Sequence, residues 1–189
     1  MNSGCIDPKE LHTDNFRSTC KEVAMKYPRS IVIGSGMGGL VTARVLSDYF
    51  DEVVLIDRDA IPDTPEIRHG TPQANHFHGI LPGGLEIMCS LFPGFDDELD
   101  SHGAISPGPA GFYAYGPEGK SYNLMRFQPE PSKPLPTFPS TRIQTRILLE
   151  HCLRRRVEQV SNITTRYSTM VRDVMTEGNR VTGVVIDGI

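Results

Sequence analysis

The sequence has few cysteines, no long apolar run and no excess of positive charge, and each shortage removes a class of protein. The four cysteines, Cys5, Cys20, Cys89 and Cys152, lie far apart, with no C-x-x-C pair and no histidine at zinc-finger spacing. They fit neither a disulfide framework nor a structural zinc site, and read as reduced thiols. No apolar run approaches the roughly 18–20 residues that span a bilayer. Residues 1–28 lack the apolar centre of a secretory signal, and Asp7, Glu10, Asp14 and Glu22 argue against a transit peptide. Cytoplasm is the expected compartment. The formal net charge of -4 gives no support for a nucleic-acid partner. The one basic cluster, Arg154-Arg155-Arg156, is expected to be the solvated face of a helix.

What remains is ordinary globular composition, 38% hydrophobic and 22% charged over 189 residues. That length can bury a core without disulfide or metal staples. There is no internal repeat and no low-complexity segment. The polar residues 1–28 read as an extension, with one short helix around Phe16 to Met25, closed off by Pro28. Residues 29–189 read as one α/β unit.

Its opening carries the most information. Ser30-Ile31-Val32-Ile33 is a continuous β-branched run, as in a parallel strand covered on both faces. Apolar residues from Met37 to Phe50 recur at helical spacing, and Val53-Val54-Leu55-Ile56 forms a second buried strand. Strand, tight turn, helix and strand make a βαβ unit. The turn is Gly34-Ser35-Gly36-Met37-Gly38-Gly39, a G-x-G-x-x-G run. Gly34 permits the sharp turn, Gly36 removes a Cβ that would strike a diphosphate, and Gly39 lets the helix approach the sheet. The helix then offers its free amides and positive dipole end to an anion. Asp57, 23 residues after Gly34, lies where a carboxylate can accept both ribose hydroxyls. It disfavours a 2′-phosphate, although Arg58 beside it is suited to one. The ADP half is common to NAD and FAD, so the motif alone leaves both open.

Further along, helices are expected at about Leu85 to Leu91 and Asp96 to Ser101. A hairpin is expected between Phe112 and Phe127 around Gly116-Pro117-Glu118-Gly119, and the proline-rich residues 128–139 form a connector. The longest helix is expected from Thr141 to about Val160. Strands follow around Ile163 to Tyr167, Val171 to Met175 and Val181 to Ile186.

These residues carry a resemblance. Ile33 to Leu40, followed by Leu55-Ile56-Asp57-Arg58-Asp59, resembles the opening of the flavoprotein monooxygenases related to para-hydroxybenzoate hydroxylase and squalene epoxidase. Arg68-His69-Gly70-Thr71-Pro72-Gln73, with His76 and His78, is similar to a segment of a bacterial and fungal subgroup that includes polyether epoxidases. Phe92-Pro93-Gly94, Thr145-Arg146-Ile147-Leu148-Leu149-Glu150 and Val181-Thr182-Gly183-Val184 extend the likeness over about residues 29–188. The resemblance implies a Rossmann-like, three-layer ββα FAD-binding fold, with about residues 104–140 in a substrate-facing sheet. It implies FAD as cofactor, NAD(P)H as reductant, and hydroxylation or epoxidation of a small organic substrate using dioxygen. It also implies that Arg146 reaches the ribityl or diphosphate region and that Arg68 flanks the flavin. No acid, base or nucleophile is nominated as catalytic.

Two departures stand out. Where the family usually has glutamate at the ribose position, this chain has Asp57, one methylene shorter. The family's later D-A-x-G and G-D segments do not occur, so the sequence is expected to be an N-terminal portion of a longer protein. Plainer readings accompany each choice. Arg146 and Arg68 are candidates for ordinary surface or loop arginines, and Arg142 lies one turn from Arg146. His76 and His78 invite a metal but have no supporting third ligand, and the resemblance places them in a loop entering the helix beneath the flavin. Ser35 lacks the G-x-S-x-G elbow of a hydrolase nucleophile.

Overall fold

The computed structural model describes residues 27–106, 113–115, 121–123 and 141–187. A three-stranded parallel sheet organises them, in the order β1 (Tyr27–Ile33), β2 (Phe50–Ile56) and β7 (Ile163–Arg166). Helix α1 (Met37–Leu46) connects the first two strands. Strand β1 starts at Tyr27, ahead of the β-branched run, because its register continues back to Phe50, whose ring lies 5.5 Å from that of Tyr27. Pro28 is tolerated there because, among the described residues, β1 lies at the edge of the sheet. Helix α1 stops at Leu46 rather than Phe50. Ser47 to Tyr49 form a turn whose amides bond back to Ala43, Val45 and Leu46, and Phe50 already pairs in β2.

Beyond β2, the chain forms β3 (Phe77–Ile80), α2 (Pro82–Leu91) and α3 (Phe95–Ser101). Pro82 stands in the first turn of α2, where its missing amide costs nothing. Gly94, at φ 75°, opens α3. The expected hairpin is present in its arms, β4 (Tyr113–Tyr115) pairing antiparallel with β5 (Ser121–Asn123). Its turn and the proline-rich connector lie outside the described residues, as does the helix expected around Phe16 to Met25.

The expected long helix from Thr141 divides in two. Arg142–Thr145 is strand β6, antiparallel to β3, and only Arg146–Glu158 is helix, α4. Thr145 accounts for the boundary. It is extended, pairs with Phe77, and its Oγ1 accepts the Leu148 amide at 3.1 Å as an N-cap. His78 therefore sits in a strand, not in a loop entering a helix. Strands β8 (Val171–Glu177) and β9 (Arg180–Ile186) close a separate antiparallel pair, turning at Gly178, φ 60°.

Alternation along β1 separates the two faces of the sheet. Val32 is buried with Leu40 and Ala43 of α1, which in turn meet Leu149, Cys152, Leu153 and Val157 of α4. Phe95 and Leu99 of α3 complete this core with no exposed surface. Ile31 and Ile33 face the other way and line a groove with Val174, Val181 and Val184 of the β8–β9 pair. The helices and the hairpin thus meet opposite sides of β1. Each fully buried leucine contributes about 1.5–3 kcal/mol of transfer free energy. Replacing Leu153 with alanine is expected to lower unfolding free energy by about 2–5 kcal/mol. Urea denaturation checks this, and an unchanged midpoint would place the core elsewhere.

Candidate functional site: a glycine turn clasped by a buried ion network

The turn between β1 and α1 uses its three motif glycines differently. Gly34 has φ 95°, which favours glycine, and its amide donates to Ile56 O at 2.7 Å. A Cβ on Gly39 would lie 1.8 Å from Gly34 O, so only glycine lets α1 pass the turn at this distance. Gly36 has neither reason. Its backbone is ordinary extended (φ −71°, ψ 179°), and a Cβ there would meet nothing within 4 Å. Neither conformation nor packing asks for glycine at 36, and the space in front of it is open. Gly38 is open in the same way. No side chain caps the start of α1 and no acidic residue stands in its first turn, so its amides and dipole are available to an anion. Met37 contributes its backbone to this end while packing against the core.

Asp57 follows β2 and ties it to the turn. Its Oδ2 accepts the Ser35 amide at 2.5 Å and the Ser35 hydroxyl at 2.7 Å, and its Oδ1 accepts the Asp59 amide at 2.9 Å. Burial alone would raise this carboxyl. The bonds from Asp59 and Ser35 and the charge of Arg68, 3.5 Å away, outweigh burial and hold it below the usual range. Ser35 is fully buried with its hydroxyl committed, which suits a positioning role and not a nucleophile. With Oδ2 occupied, what Asp57 can offer a sugar is the remaining acceptor capacity of Oδ1.

Behind this clasp lies a group of buried charges. Arg68 reaches Asp59 Oδ2 at 3.4 Å and donates through Nη2 to Glu150 Oε1. Arg154 Nη2 donates to the same Oε1 at 2.8 Å and to the backbone oxygen of Ser35 at 3.2 Å. Arg146 Nε stands 3.5 Å from Glu150 Oε2 yet makes no hydrogen bond, and its Nη1 lies 3.5 Å from His78 Nε2. Burial, then the Arg146 charge, pushes the His78 imidazole below its ordinary value, so it is neutral near pH 7. A guanidinium at that nitrogen is a poor setting for a metal, and His76 is exposed.

Asp57, Arg68, Arg146 and the glycine turn therefore come together. Arg58 does not join them, being exposed and 3.9 Å from Asp59 Oδ1. Arg142 separates cleanly from Arg146, facing Asp100 from β6 at 2.5 and 2.8 Å. Two members were not singled out from sequence, Glu150 and Arg154. Arg154 is buried, whereas the arginine run was expected on a solvated face. Arg146, Glu150 and Arg154 fall at i, i+4 and i+8 of one helix, and that spacing was the available signal. Beside the network, Asp63, His151, Arg155, Glu158 and Tyr167 help line an open cleft of about 440 Å³.

No protein-family model matches the chain. It is 32% identical over 173 residues to Protein Rv3254 of Mycobacterium tuberculosis, an alignment covering 84% of this chain and 32% of that protein. Among solved structures, it superposes on p-nitrophenol 4-monooxygenase PnpA of Pseudomonas putida with a TM-score of 0.58 and 13% identity, covering 86% of this chain and 38% of PnpA. For PqsL of Pseudomonas aeruginosa, a probable FAD-dependent monooxygenase, the values are 0.60 and 13%, with coverage of 85% and 38%. For the myxobacterial FAD-dependent halogenase CndH they are 0.57 and 23%, with coverage of 86% and 33%. The fold is theirs. The chain spans about a third of the length of these relatives. Among the described residues, no helix is long and apolar enough to cross a membrane.

The Asp57 clasp predicts an acid-sensitive stability. A carboxyl held below its unfolded value of 3.8 contributes stability above that value and loses it as pH falls through the folded value. Asp57→Asn is expected to cost about 1–3 kcal/mol at pH 7. The gap should narrow below about pH 4 as the wild-type carboxyl takes up its proton. Urea unfolding at both pH values reads this, and a gap independent of pH would refute the clasp.

Proposed function

We propose that this chain is the cofactor-holding part of an FAD-dependent oxidoreductase. The whole protein is then a flavin monooxygenase that hydroxylates or epoxidises a small organic substrate, with NAD(P)H as reductant. The observation that carries the reading is Gly36, a glycine with ordinary backbone angles facing empty space at the uncapped start of α1. Such a position makes sense if something bulky and anionic approaches the backbone there, and a dinucleotide's diphosphate is that group. The shared fold with FAD-dependent monooxygenases and a halogenase favours FAD over NAD as the dinucleotide.

In this reading the amides of Gly36 to Gly39 hold the diphosphate. Asp57 accepts a ribose hydroxyl through Oδ1, while the bonds from Asp59 and Ser35, with Arg68 behind them, keep that carboxylate ionised. Arg146 brings a guanidinium whose Nε has no hydrogen-bond partner, and a phosphate or ribityl oxygen would supply one. Arg58, exposed next to Asp59, answers the outer edge of the nucleotide. FAD, when bound, supplies the redox chemistry, taking reducing equivalents and passing them to dioxygen. The chain's own residues bind, orient and exclude water. The small-molecule substrate contacts are assigned to the wider protein, including the β4–β5 arms within about residues 104–140.

The contrast between two glycines tests the reading. Gly36→Val is expected to keep the melting temperature of the FAD-free wild type and to weaken FAD binding by roughly a hundredfold or more. Gly39→Val should instead lower the melting temperature, because its side chain meets Gly34 O. Flavin absorbance of the purified protein and a fluorescence titration with FAD are the measurements. A Gly36→Val protein that takes up FAD like wild type sinks the phosphate-loop reading. A colourless wild-type protein that binds NAD tightly would replace the flavin assignment with an NAD-binding module.

A further inference from the structure

We propose that Glu150 is a positioning residue for the phosphate-binding turn. It acts through Arg154 and the Ser35 carbonyl to aim the Gly36 amide at the ligand. The proposal deepens the cofactor reading above and rests on it for the ligand's identity, but not for the geometry.

The Ser35 residue is gripped at both ends. Its N–H and hydroxyl are held by Asp57, and its carbonyl accepts from Arg154 Nη2 at 3.2 Å. In a planar trans peptide, the Ser35 C=O and the Gly36 N–H point in opposite directions. Drawing the carbonyl back toward Arg154 therefore turns the Gly36 N–H away from it. Among the described residues, nothing accepts that N–H. A buried guanidinium thus sets the direction of the amide of Gly36, a glycine that faces open space.

Arg154 needs holding in turn. Its Nε has no hydrogen-bond partner, and its Nη2 bonds both Ser35 O and Glu150 Oε1. Glu150 also receives Arg68 Nη2 on that same Oε1, and Arg68 lies beside Asp57 and Asp59. The contacts close a ring: Ser35, Asp57, Arg68, Glu150, Arg154, and Ser35 again. Each member is buried, with 8% exposure at most. Isolated buried ion pairs often add little net stability, because desolvation offsets their attraction. A ring whose last bond lands on the backbone of a ligand-binding turn has a further effect, which is to remove the turn's freedom before the ligand arrives. Among the described residues, Glu150 is the only carboxylate that joins Arg68 to Arg154, and its Oε2 lies 3.5 Å from Arg146 Nε.

The test compares Glu150→Gln, Arg154→Met and the double variant with wild type, in the full protein. Hydrogen exchange of the peptide covering residues 33–40 is read without ligand, and the FAD dissociation constant and melting temperature are read alongside. Glu150→Gln should speed exchange in that peptide by roughly tenfold, leaving the β8–β9 peptide unchanged. It should weaken FAD by roughly tenfold or more. The double variant removes one charge of each sign, so its melting temperature should return toward wild type while fast exchange and weak FAD binding persist. The double variant carries the test if the single one does not fold. Wild-type exchange and affinity in Glu150→Gln would overturn the proposal. Recovery of exchange and affinity together with melting temperature in the double variant would also overturn it, since charge balance alone would then suffice. If wild type itself does not bind FAD, the cofactor reading fails, and the exchange comparison still decides the clamp.

Discussion

The pair of hydrogen bonds from Ser35 to Asp57 is the contact on which the rest of the site depends. It joins the turn after β1 to the end of β2, two places 22 residues apart in sequence, through a single oxygen that accepts both an amide and a hydroxyl. A serine hydroxyl alone would leave the backbone free to rotate, and an amide alone would leave the carboxylate free to swing. Together they set the depth at which the turn sits over the sheet. The close approach of Gly39 to Gly34 O then follows, because α1 has nowhere else to start.

Electrostatics organises the space behind that turn more than apolar packing does. Three arginines converge on one glutamate from a loop and from two further turns of α4. In water such a set would be loosely paired and screened. Here the groups are nearly withdrawn from solvent, so each charge depends on the others for the partners that water would otherwise supply. The apolar core formed by α1, α3 and α4 lies on the same side of the sheet and supplies the rigid walls that make the arrangement tolerable.

Much of this was legible in the residues. The β-branched run, the glycine spacing and the acid after the second strand were local signals, and they located the turn, α1, β2 and Asp57. The limits of α1 and α4 were not legible, because apolar periodicity runs on through Phe50 and back through Ile143. What stopped each helix was strand pairing with residues far away, to Tyr27 in one case and to the β3 strand in the other. Arg154 was misread for a related reason. A run of three arginines gives no hint of which one turns inward, and only the packing of α4 against α1 decides that the first is enclosed and the second is not. Gly36 was readable as part of a motif, but the open space in front of it is a feature that no sequence displays.

The direct passage of β6 into α4 has a mechanical result. With Thr145 serving as the last strand residue and the helix cap at once, no loop separates the ribbon from the helix. The β3–β6 pair and α4 thus share a junction with no intervening hinge residue, and Thr145 fixes the angle between them. The imidazole of His78 stands on β3 and the guanidinium of Arg146 on the first turn of α4, so their 3.5 Å approach spans that junction.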